Sequence, residues 1–521
     1  MAASARDVTR VLAESGCIRA FVVGSNHNLK VLDGLSEAGV ESVAMRHEVG
    51  AVHAADGHAR VSGARTAVVT STGPGAGNAV GAFSAAAKDG SPVVHVTTTH
   101  FPAGPRGQGV HTIMDQGGWL RAFDAPVLDA AVLDVESIAK ELAAATGAVT
   151  LVIPDDEERC HALPAALAPE IALPMTVEAV AQGIDEWLES ERPLLWIGGG
   201  ARSVPSAVLG ALATRRGAAV VTTVQGKDLF DPSHPSFAGC TLQSELTQDA
   251  IAGATSCLAL GSRVTELSSA SWSALPSHVV RIGFSNDEPL VPGATYAHLP
   301  IAVDAAVAYL DAALPAISDV PGSAFGAESG ARYRAARANK GRSGAEYDYI
   351  DAIAGALGPD DVVVCDMTKL AFWAMLALNM PEGARWLWPG MLNMGFGLPA
   401  GIGAAVARPD AHVVVLCGDG GLLTIAAELD LLASTPGRIS IVLIDDDGYG
   451  LLRPFASDSV RTQLCSFGGP DWQKLAEAFG IRYLPIESGA ALAVALGRGE
   501  RGATLMHVNG TELCSQNWRQ A

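Results

Sequence analysis

Two short acidic turns in the C-terminal third of the sequence contain residue types that could bind a cation and a phosphate. The first is GDGG at 418–421, which directly follows the apolar run VVVLC. The second is DDDGYG at 445–450, which directly follows the apolar run ISIVLI. Apolar runs of this length before glycine-rich turns are typical of buried strands, so Asp419 and Asp446 are predicted at the carboxyl ends of two strands. Open parallel sheets bind their ligands at this edge.

Two carboxylates and a glycine-rich backbone suit Mg²⁺ and a diphosphate. Mg²⁺ prefers oxygen ligands, and water and phosphate oxygens usually fill its remaining positions. The glycines allow backbone N–H groups to approach a diphosphate at the start of the following helix. The alternative is an ordinary acidic strand-to-helix turn, which is common in α/β proteins, and the spacing alone favours neither interpretation.

Three segments in the first part of the chain complete the set of motifs. They are MRHEVG at 45–50, ADGHARVSG at 55–63 and STGPGAGN at 71–78. Taken alone, Glu48 would be better interpreted as an exposed helix residue. The three segments acquire a chemical meaning only together with the acidic turns.

The segment 413–450 resembles the metal and diphosphate motif of thiamine diphosphate (ThDP) enzymes, in which GDG is followed further along by Asn-Asn and a glycine. The resemblance implies that Asp419, Asp446 and the carbonyl of Gly448 bind Mg²⁺. Here Asp445 and Asp446 stand where the family usually has two asparagines. A carboxylate keeps the oxygen ligand and adds negative charge, so we expect metal binding to persist. Further cofactor contacts are implied for Gly418, Gly420, Gly421 and Tyr449.

The three N-terminal segments are similar to the pyrimidine-binding domain of the same family, with its RHE, ADGYAR and SGPGxxN motifs. In that family, a glutamate contacts N1′ of the aminopyrimidine and promotes the imino tautomer that deprotonates the thiazolium C2. The resemblance implies that Glu48 is this residue and that Gly73 and Asn78 also contact the cofactor. The chemistry requires a carboxyl in a mostly apolar pocket, where it can share a proton with the ring nitrogen.

A further segment, GMLNMGFGLPA at 390–400, resembles the family segment in which a bulky apolar residue forces the cofactor into a V shape. The resemblance implies that Met394 is this residue, although alone it would be interpreted as a core methionine. The Leu392 carbonyl would accept a hydrogen bond from the 4′-amino group; the family often has glycine there, but a backbone role tolerates leucine. In DMTK at 366–369, Thr368 is a candidate diphosphate ligand. For Lys369, pairing with phosphate and plain solvation are equally open.

Candidate substrate-facing residues come from two loops of the first domain. Asn26 and His27 follow the apolar run AFVVG, whereas His111, Asp115 and Gln116 lie in GVHTIMDQ, which is similar to the LHExxDQ segment of acetolactate synthase-like proteins. A histidine in such a loop could transfer protons to or from a substrate adduct near neutral pH. It could equally be structural, and the sequence leaves both interpretations open.

The motifs disagree about the substrate. The GPG at 73–75 is in the style of acetolactate synthase, whereas GNAVGAFS at 77–84 and RPFA at 453–456 look more like benzoylformate decarboxylase. The identity of the 2-oxo acid therefore stays open, as does the choice between an aldehyde and a carboligation product. The GGGA turn at 198–201 is compatible with FAD, which is not otherwise supported.

The resemblance covers essentially the whole chain, in the domain order of acetolactate synthase, benzoylformate decarboxylase and their relatives. It implies a ThDP- and Mg²⁺-dependent decarboxylase or carboligase that acts on a small 2-oxo acid through a C2 ylid and an enamine. It also implies a homodimer or homotetramer in which Glu48 of one chain faces the diphosphate domain of another. Alternatives are a carbon–carbon lyase or acyl-CoA-type ThDP enzyme and a non-catalytic ThDP-fold subunit. An NAD-dependent oxidoreductase is disfavoured because the GGGA turn at 198–201 lacks the GxGxxG pattern and a clear acidic residue about 20 positions further on.

Parallel sheets are needed to position these motifs. Short β-branched runs alternate with Ala-rich helical stretches along the chain, as in βαβ units. The predicted fold is α/β, with three doubly wound parallel-sheet domains, of which the middle one is Rossmann-like. The predicted boundaries are 1–160 for the pyrimidine-binding domain, 161–185 for a linker, 186–315 for the middle domain, 316–345 for a second linker and 346–521 for the diphosphate-binding domain.

Composition excludes several classes of protein. The 521 residues are 49% hydrophobic and 17% charged, which excludes a disordered chain. A net charge of −20 argues against nucleic-acid or anionic-membrane partners. The eight cysteines form no C-x-x-C pair, the first residues given do not show the apolar core of a signal peptide, and no long apolar span follows. We therefore expect a cytoplasmic protein.

Overall fold

The computed structural model describes residues 3–99, 111, 116–122, 125–155, 184–241, 245–262, 264, 275–283, 295–299, 302–313, 323–340 and 344–513. In this part of the chain the strands form three six-stranded sheets, named A, B and C here, and all of their pairings are parallel. The predicted α/β fold with three doubly wound parallel sheets is confirmed. Asp115 and most of the predicted first linker lie outside the described residues.

Sheet A, in the first domain, has the strand order β2-β1-β3-β4-β6-β5. Its strands are β1 (Arg19–Val22), β2 (Glu41–Ala44), β3 (Thr66–Thr70), β4 (Val93–Thr99), β5 (Val127–Asp129) and β6 (Val149–Pro154). Its helices are α1 (Ala5–Glu14), α2 (Leu29–Glu37), α3 (Glu48–Ser62), α4 (Pro74–Lys88), α5 (Gln116–Arg121) and α6 (Val135–Ala144). The strand order changes direction between β1 and β3. The loops after these two strands therefore flank the crevice in which such sheets bind ligands.

The β-branched sequence of the strands of sheet A explains why helices cover both of its faces. In β3 every residue is buried, with Val68 packed in one apolar cluster and Ala67 and Val69 in another on the opposite side. Alternate side chains of a strand point to opposite faces, so a sheet buried on both faces needs continuous apolar strands.

Sheet B, in the middle domain, has the order β12-β11-β10-β7-β8-β9, which is the 3-2-1-4-5-6 order of the Rossmann fold. Its strands are β7 (Pro193–Ile197), β8 (Ala219–Thr222), β9 (Phe237–Cys240), β10 (Ser256–Leu260), β11 (His278–Ile282) and β12 (Thr295–Leu299). The helices are α7 (Ser206–Arg216), α8 (Glu245–Gly253), α9 (Val303–Ala313) and α10 (Ser323–Lys340). Helix α10 falls within the predicted second linker and contacts β8 and β9. The domain boundaries themselves remain predictions.

Sheet C, in the third domain, has the order β14-β13-β15-β16-β18-β17, which repeats the order of sheet A when strands are counted from the start of each domain. Its strands are β13 (Val362–Cys365), β14 (Arg385–Leu387), β15 (His412–Gly418), β16 (Arg438–Asp445), β17 (Arg482–Ile486) and β18 (Gly502–Asn509). The helices are α11 (Ala345–Ala356), α12 (Lys369–Ala377), α13 (Gly397–Ala407), α14 (Asp419–Thr424), α15 (Asp458–Leu464), α16 (Trp472–Ala478) and α17 (Gly489–Gly497). Here the direction changes between β13 and β15.

Helices α3 and α13 join the first and third domains within one chain. A Cβ at Gly57 would collide with the carbonyl of Ala400, and a Cβ at Gly403 would collide with that of Ala54. Glycine therefore lets the two helix backbones touch. Both helices belong to one apolar cluster that also contains core residues of sheets A and C. The start of α3, where Glu48 lies, is thereby fixed relative to both sheets.

No helix in the described ranges is long and apolar enough to cross a membrane.

Candidate active site

The structure places Glu48 beside the glycine turn that follows β3. Glu48 begins α3, and its side chain is 12% exposed. Asn78 Nδ2 donates a hydrogen bond to Glu48 Oε2 at 3.0 Å. A Cβ at Gly75 would lie 3.3 Å from Glu48 Oε1, so the turn approaches the carboxylate closely. Two N-terminal motifs that are separated in the sequence thus meet around one carboxyl group.

Gln116 holds the glycine turn in place. Its Oε1 accepts hydrogen bonds from the Gly73 N–H at 2.8 Å and from Thr72 Oγ1 at 3.0 Å. Its Nε2 donates to the Thr98 carbonyl at 2.9 Å. Gln116 is buried, so the amide is satisfied within the protein. This arrangement positions the left-handed Gly73 (φ +60°), whereas a direct contact between Gln116 and substrate stays a prediction.

The structure also brings His27 and His111 together near this turn. Their ring centroids are 5.4 Å apart with the rings edge to face. The His111 backbone lies so close to Gly73 that a Cβ on that glycine would collide with the His111 carbonyl. His111 is exposed and adopts a left-handed backbone (φ +64°), and Asn26 is exposed in the neighbouring loop. The three predicted substrate-facing residues therefore lie at the ligand-binding edge of sheet A.

Asp155 is a residue that the sequence reasoning missed. His27 Nδ1 lies 2.8 Å from Asp155 Oδ2, and both side chains are largely buried. A carboxylate only accepts hydrogen bonds, so this contact places a proton on Nδ1 of His27. Asp155 directly follows the buried strand β6, and an acid directly after a buried strand is the signal that identified Asp419.

Asp419 and the second acidic turn meet at the edge of sheet C. The Gly448 N–H donates to Asp419 Oδ2 at 2.6 Å. Burial raises the pKa of Asp419 to about 6; the N–H groups of Gly448 and Gly420 oppose this rise, and the charges of Asp445 and Asp446 add to it. Asp445 and Asp446 both act on the charge of Asp419, so three acidic side chains lie near one turn, and such a negative pocket suits a cation.

The two acids of the second turn have separate partners. Asp446 Oδ1 lies 2.7 Å from Lys369 Nζ, which also donates to the Gly510 carbonyl at 3.0 Å. Lys369 is buried, so of its two open interpretations plain solvation is wrong. Burial raises the pKa of Asp446, while Lys369 acts in the opposite direction.

Asp445 belongs to a different network. Its Oδ2 accepts a hydrogen bond from Trp472 Nε1 at 2.7 Å and lies 3.0 Å from His507 Nε2. Burial acts to raise the pKa of Asp445, but the hydrogen bonds from His507, the Asp447 N–H and Trp472 outweigh it, so that the pKa is lowered. Asp445 is thus held by His507 on β18 and Trp472 on α16. Of the two adjacent acids, Asp446 is the one that forms the ion pair with Lys369.

Thr368 and the GDGG turn fit a diphosphate. The Thr368 side chain is buried at the start of α12, and its Oγ1 has no hydrogen-bond partner among the described residues. Gly418 lies against Thr368, since a Cβ there would be 3.4 Å from Thr368 Cβ. A Cβ at Gly420 would lie 2.6 Å from the Tyr449 ring, and Gly421 is likewise buried. An unsatisfied hydroxyl beside a helix N-terminus is the kind of arrangement that an anion such as a diphosphate would fit.

The loop that carries Met394 is held by Asp366, another residue that the sequence reasoning missed. The Asp366 carboxylate accepts hydrogen bonds from the N–H groups of Gly395 at 3.1 Å and Gly397 at 2.8 Å. Burial raises the pKa of Asp366, and these hydrogen bonds oppose the rise. Met394 and Leu392 are 38% and 37% exposed. The hydrogen bonds from Gly395 and Gly397 to Asp366 thus hold a loop that presents two partly exposed apolar side chains beside the predicted diphosphate-binding turn.

Leu392 adopts a left-handed backbone conformation, with φ +56°. Leucine is strained there by about 1 to 2 kcal/mol, whereas glycine is not. Glycine, which the resembled family often has at this position, would avoid the strain. The sequence predicted that a backbone role tolerates leucine; the structure adds that the leucine carries a conformational cost.

Within the described part of the chain, no three His, Cys, Asp or Glu side chains form a ready-made metal cluster. The predicted Mg²⁺ site uses two carboxylates and one backbone carbonyl, so it does not require such a cluster. The negative pocket around Asp419 and the unsatisfied Thr368 hydroxyl fit a cation bound together with a diphosphate. The residues present thus fit both groups.

Comparison with known proteins gives a family match in each of the three domains. Three family models match the chain: "Thiamine pyrophosphate enzyme, N-terminal TPP binding domain" over residues 3–118, "central domain" over 178–312 and "C-terminal TPP binding domain" over 366–508. The matched order is the one predicted from the motifs.

Curated relatives span nearly the whole chain. A probable 2-ketoarginine decarboxylase of Pseudomonas aeruginosa is 31% identical, covering 91% of this chain and 87% of that protein. The acetolactate synthase isozyme 2 large subunit of Escherichia coli is 27% identical, covering 97% and 95%. The acetolactate synthase large subunit of Lactococcus lactis is 26% identical, covering 93% and 88%. The chain therefore belongs to the thiamine diphosphate-dependent enzymes of the acetolactate synthase family.

Proposed function

We propose that this enzyme is a ThDP- and Mg²⁺-dependent decarboxylase of a small 2-oxo acid, with carboligation as the second candidate. The observation that carries the proposal is the pairing of Glu48 with Asn78 over the Gly73 turn. At the corresponding edge of sheet C, the structure has the negative pocket around Asp419 and the unsatisfied Thr368 hydroxyl.

Each edge would hold a different part of the cofactor. Glu48 would bind the aminopyrimidine N1′ and hold the proton that activates the ring, with Asn78 fixing the orientation of its carboxylate. The Leu392 carbonyl would accept from the 4′-amino group, and Met394 would support the bend of the cofactor. When bound, ThDP supplies a nucleophilic carbon and an electron sink for the pair released with CO₂.

The diphosphate end would be held by charge. Asp419, Asp446 and the Gly448 carbonyl would bind Mg²⁺, and the backbone of Gly420 and Gly421 would receive phosphate oxygens. Further contacts to the diphosphate would come from the Thr368 hydroxyl and from Tyr449 and Gly418.

His27 and His111 would serve the substrate end. Their position beside the Gly73 turn would allow either ring to give a proton to, or take one from, the reacting oxygen or carbon. The Asp155 carboxylate would hold His27 in one tautomer, as a buried acid orients a catalytic histidine. Asn26 would add a hydrogen bond at the exposed side of the same loop.

Decarboxylation is placed first because the relative with 31% identity carries a decarboxylase name, whereas the acetolactate synthases share 26% and 27%. Carboligation stays the second candidate because the GPG at 73–75, in the style of acetolactate synthase, forms the turn beside Glu48. The two differ only in whether a proton or a second carbonyl compound captures the carbon left after CO₂ loss.

The test is CO₂ release by the purified enzyme with ThDP and Mg²⁺. Substrates would be pyruvate, branched-chain and aromatic 2-oxo acids, and 2-ketoarginine as an ω-substituted one. Glu48→Gln is the inactive comparison, and Glu141→Gln, at an exposed site on α6, is the matched control. Aldehyde and acyloin products would be separated by chromatography.

The expected result is CO₂ release from at least one acid, abolished in Glu48→Gln and unchanged in Glu141→Gln. An aldehyde supports the first candidate, and an acyloin or acetolactate-type product supports the second. If none of the acids releases CO₂ although ThDP binds, both candidate functions are overturned. That result would favour a lyase, an acyl-CoA-type enzyme or a non-catalytic subunit.

We also propose a homodimer or homotetramer. A cluster of exposed apolar side chains follows the second acidic turn, which is where a second subunit would close the site; it contains Leu452, Phe455, Val460, Leu464 and Phe467. Large exposed apolar patches mark interaction surfaces. Light scattering should show that Leu464→Asp weakens the assembly, whereas Val494→Asp, equally exposed on α17, leaves it intact. A monomeric wild type would contradict the proposal.

We further propose that the enzyme is located in the cytoplasm.

A further inference from the structure

The metal turn of this chain carries a charge that the family usually lacks at that position. Asp446 stands where an asparagine is usual, and it lies within electrostatic range of Asp419 and Asp445. A third carboxylate beside a diphosphate would repel it unless a cation offsets the charge. Lys369 supplies a cation in direct contact, with Nζ 2.7 Å from Asp446 Oδ1.

We infer that Lys369 is a fixed counter-cation which allows a carboxylate to serve at this metal-ligand position. Its ammonium lies against Oδ1 of Asp446 and would offset the added charge, so that this carboxylate could still contribute a ligand oxygen to Mg²⁺. The inference rests on the proposed Mg²⁺ and diphosphate site. Lys369 is a positioning residue, since it acts through Asp446.

The location of Lys369 supports this role over a purely structural one. Lys369 is the first residue of α12, where the helix dipole disfavours a positive charge. Its side chain is 6% exposed and that of Asp446 is 5% exposed, so both charges are removed from water. Buried ion pairs contribute little net stability compared with apolar pairs of the same size. A stability role alone therefore does not explain a lysine here.

The surroundings also fix the direction of the carboxylate. A Cβ at Gly510 would lie 2.6 Å from Asp446 Oδ1, and a Cβ at Gly450 would collide with Oδ2. The Gly510 carbonyl additionally accepts from Lys369 Nζ at 3.0 Å. The loops after β13, β16 and β18 are thus joined through one ammonium group. These contacts restrict the rotation of the Asp446 side chain. A restricted side chain is suited to metal binding, because the ligand must be held in a defined orientation.

The experiment is a double-mutant cycle with Lys369→Met, Asp446→Asn and the combination. Two properties are measured: the thermal midpoint of the cofactor-free protein, and the ThDP dissociation constant at saturating Mg²⁺, followed by tryptophan fluorescence or calorimetry. Neither requires catalysis. Lys227→Met is the matched control, because this half-buried lysine lies over the Trp386 ring in another part of the chain.

Each single variant leaves one buried charge without its partner, so each should lower the midpoint by about 5 °C or more. Lys369→Met should also weaken ThDP binding about tenfold or more, because one uncompensated charge remains beside the diphosphate. The double variant should bind ThDP within about threefold of the wild type, because a neutral amide then replaces the ion pair. Lys227→Met should lower the midpoint without changing ThDP binding or coupling to Asp446→Asn.

Additive effects in the cycle, or unchanged ThDP binding in Lys369→Met, overturn the inference. If Lys369→Met yields no folded protein, recovery of folded protein on adding Asp446→Asn is the expected result, and failure to recover overturns it. CO₂ release by the wild type together with an additive cycle would refute the inference while the proposed function stands. Strong coupling in the cycle without any CO₂ release from the wild type would support the inference and refute the proposed function.

Discussion

Sheets A and C have the same strand order, yet their ligand-binding edges use different interactions. At sheet A the turn after β3 is held by the neutral amides of Asn78 and Gln116, with Glu48 as the carboxylate at the centre. At sheet C, Asp419 and the ion pair of Asp446 with Lys369 dominate the edge. One topology thus supports an edge organised mainly by hydrogen bonds from side-chain amides and an edge organised mainly by charged groups.

The difference teaches how one sheet architecture can bind two ends of a cofactor. An aminopyrimidine ring offers donors and acceptors in fixed directions, and directional neutral hydrogen bonds match such a ring. A diphosphate with Mg²⁺ offers charge, which carboxylates, an ammonium and helix N-termini match. Substitutions at the sheet A edge should therefore affect catalysis or local packing, whereas substitutions at the sheet C edge should affect cofactor affinity.

The largest effect is expected for Glu48→Gln at the sheet A edge. The amide keeps the size of the side chain but cannot share a proton with the ring nitrogen. Turnover should fall by roughly 10² to 10⁴-fold, the range for loss of general acid–base catalysis, while ThDP binding changes by less than about threefold. Steady-state kinetics and a ThDP titration measure the two quantities. A parallel loss of binding would show that this edge also supplies affinity, and would break the comparison.

Asp419→Asn tests the charged edge. The amide can still accept a hydrogen bond from the Gly448 N–H, but it brings no negative charge to the cation. We expect the Mg²⁺ requirement for ThDP binding to rise by about tenfold or more. The cofactor-free variant should be at least as stable as the wild type, since burial and the neighbouring acids disfavour charge at Asp419. A marked fall in its thermal midpoint would show that the carboxylate stabilises the fold.

Gln116→Leu tests the neutral network at the sheet A edge. Leucine has a similar volume but leaves the Gly73 N–H and the Thr98 carbonyl without their buried partner. Each unsatisfied group costs about 1 to 3 kcal/mol, so the thermal midpoint should fall by several degrees. Differential scanning fluorimetry of the cofactor-free protein measures this fall. An unchanged midpoint with impaired turnover would instead support a direct contact of Gln116 with substrate.

The alternation of apolar strands with helices was sufficient to predict parallel α/β domains, and the family resemblance implied that Glu48 and the turn at 73–78 contact one cofactor. Glu48 and this turn meet because strand ends of a parallel sheet converge on one edge, whatever the details of packing. The repeated strand order of sheets A and C, by contrast, emerges only from the structure. Register and strand order depend on contacts between distant segments, which local patterns do not encode.

The burial and partners of individual polar side chains could not be predicted from local sequence. Three strands of sheet C, β14, β15 and β16, separate Lys369 from Asp446 in the sequence, so their pairing emerges only from the fold. The hydrogen bonds from Gly73 to Gln116 and from Gly397 to Asp366 likewise join residues that are distant in the sequence, so they also emerge only from the fold. Asp155 and Asp366 could have been found, because each directly follows a buried strand at a ligand-binding edge.

The smallest effect is expected for Leu392→Gly at the sheet C edge. The left-handed backbone of Leu392 costs leucine about 1 to 2 kcal/mol, which glycine avoids, but glycine is also more flexible in the unfolded chain by roughly 0.5 to 1 kcal/mol. The difference predicts a gain in stability of at most about 1 kcal/mol, or a thermal midpoint higher by one to a few degrees. Leu392→Ala is the control, since alanine keeps the strain and should give no gain. If glycine lowers the midpoint, then the exposed leucine side chain stabilises the loop beside Met394 by apolar contacts that outweigh its strain, and the charged edge relies on packing as well as on charge.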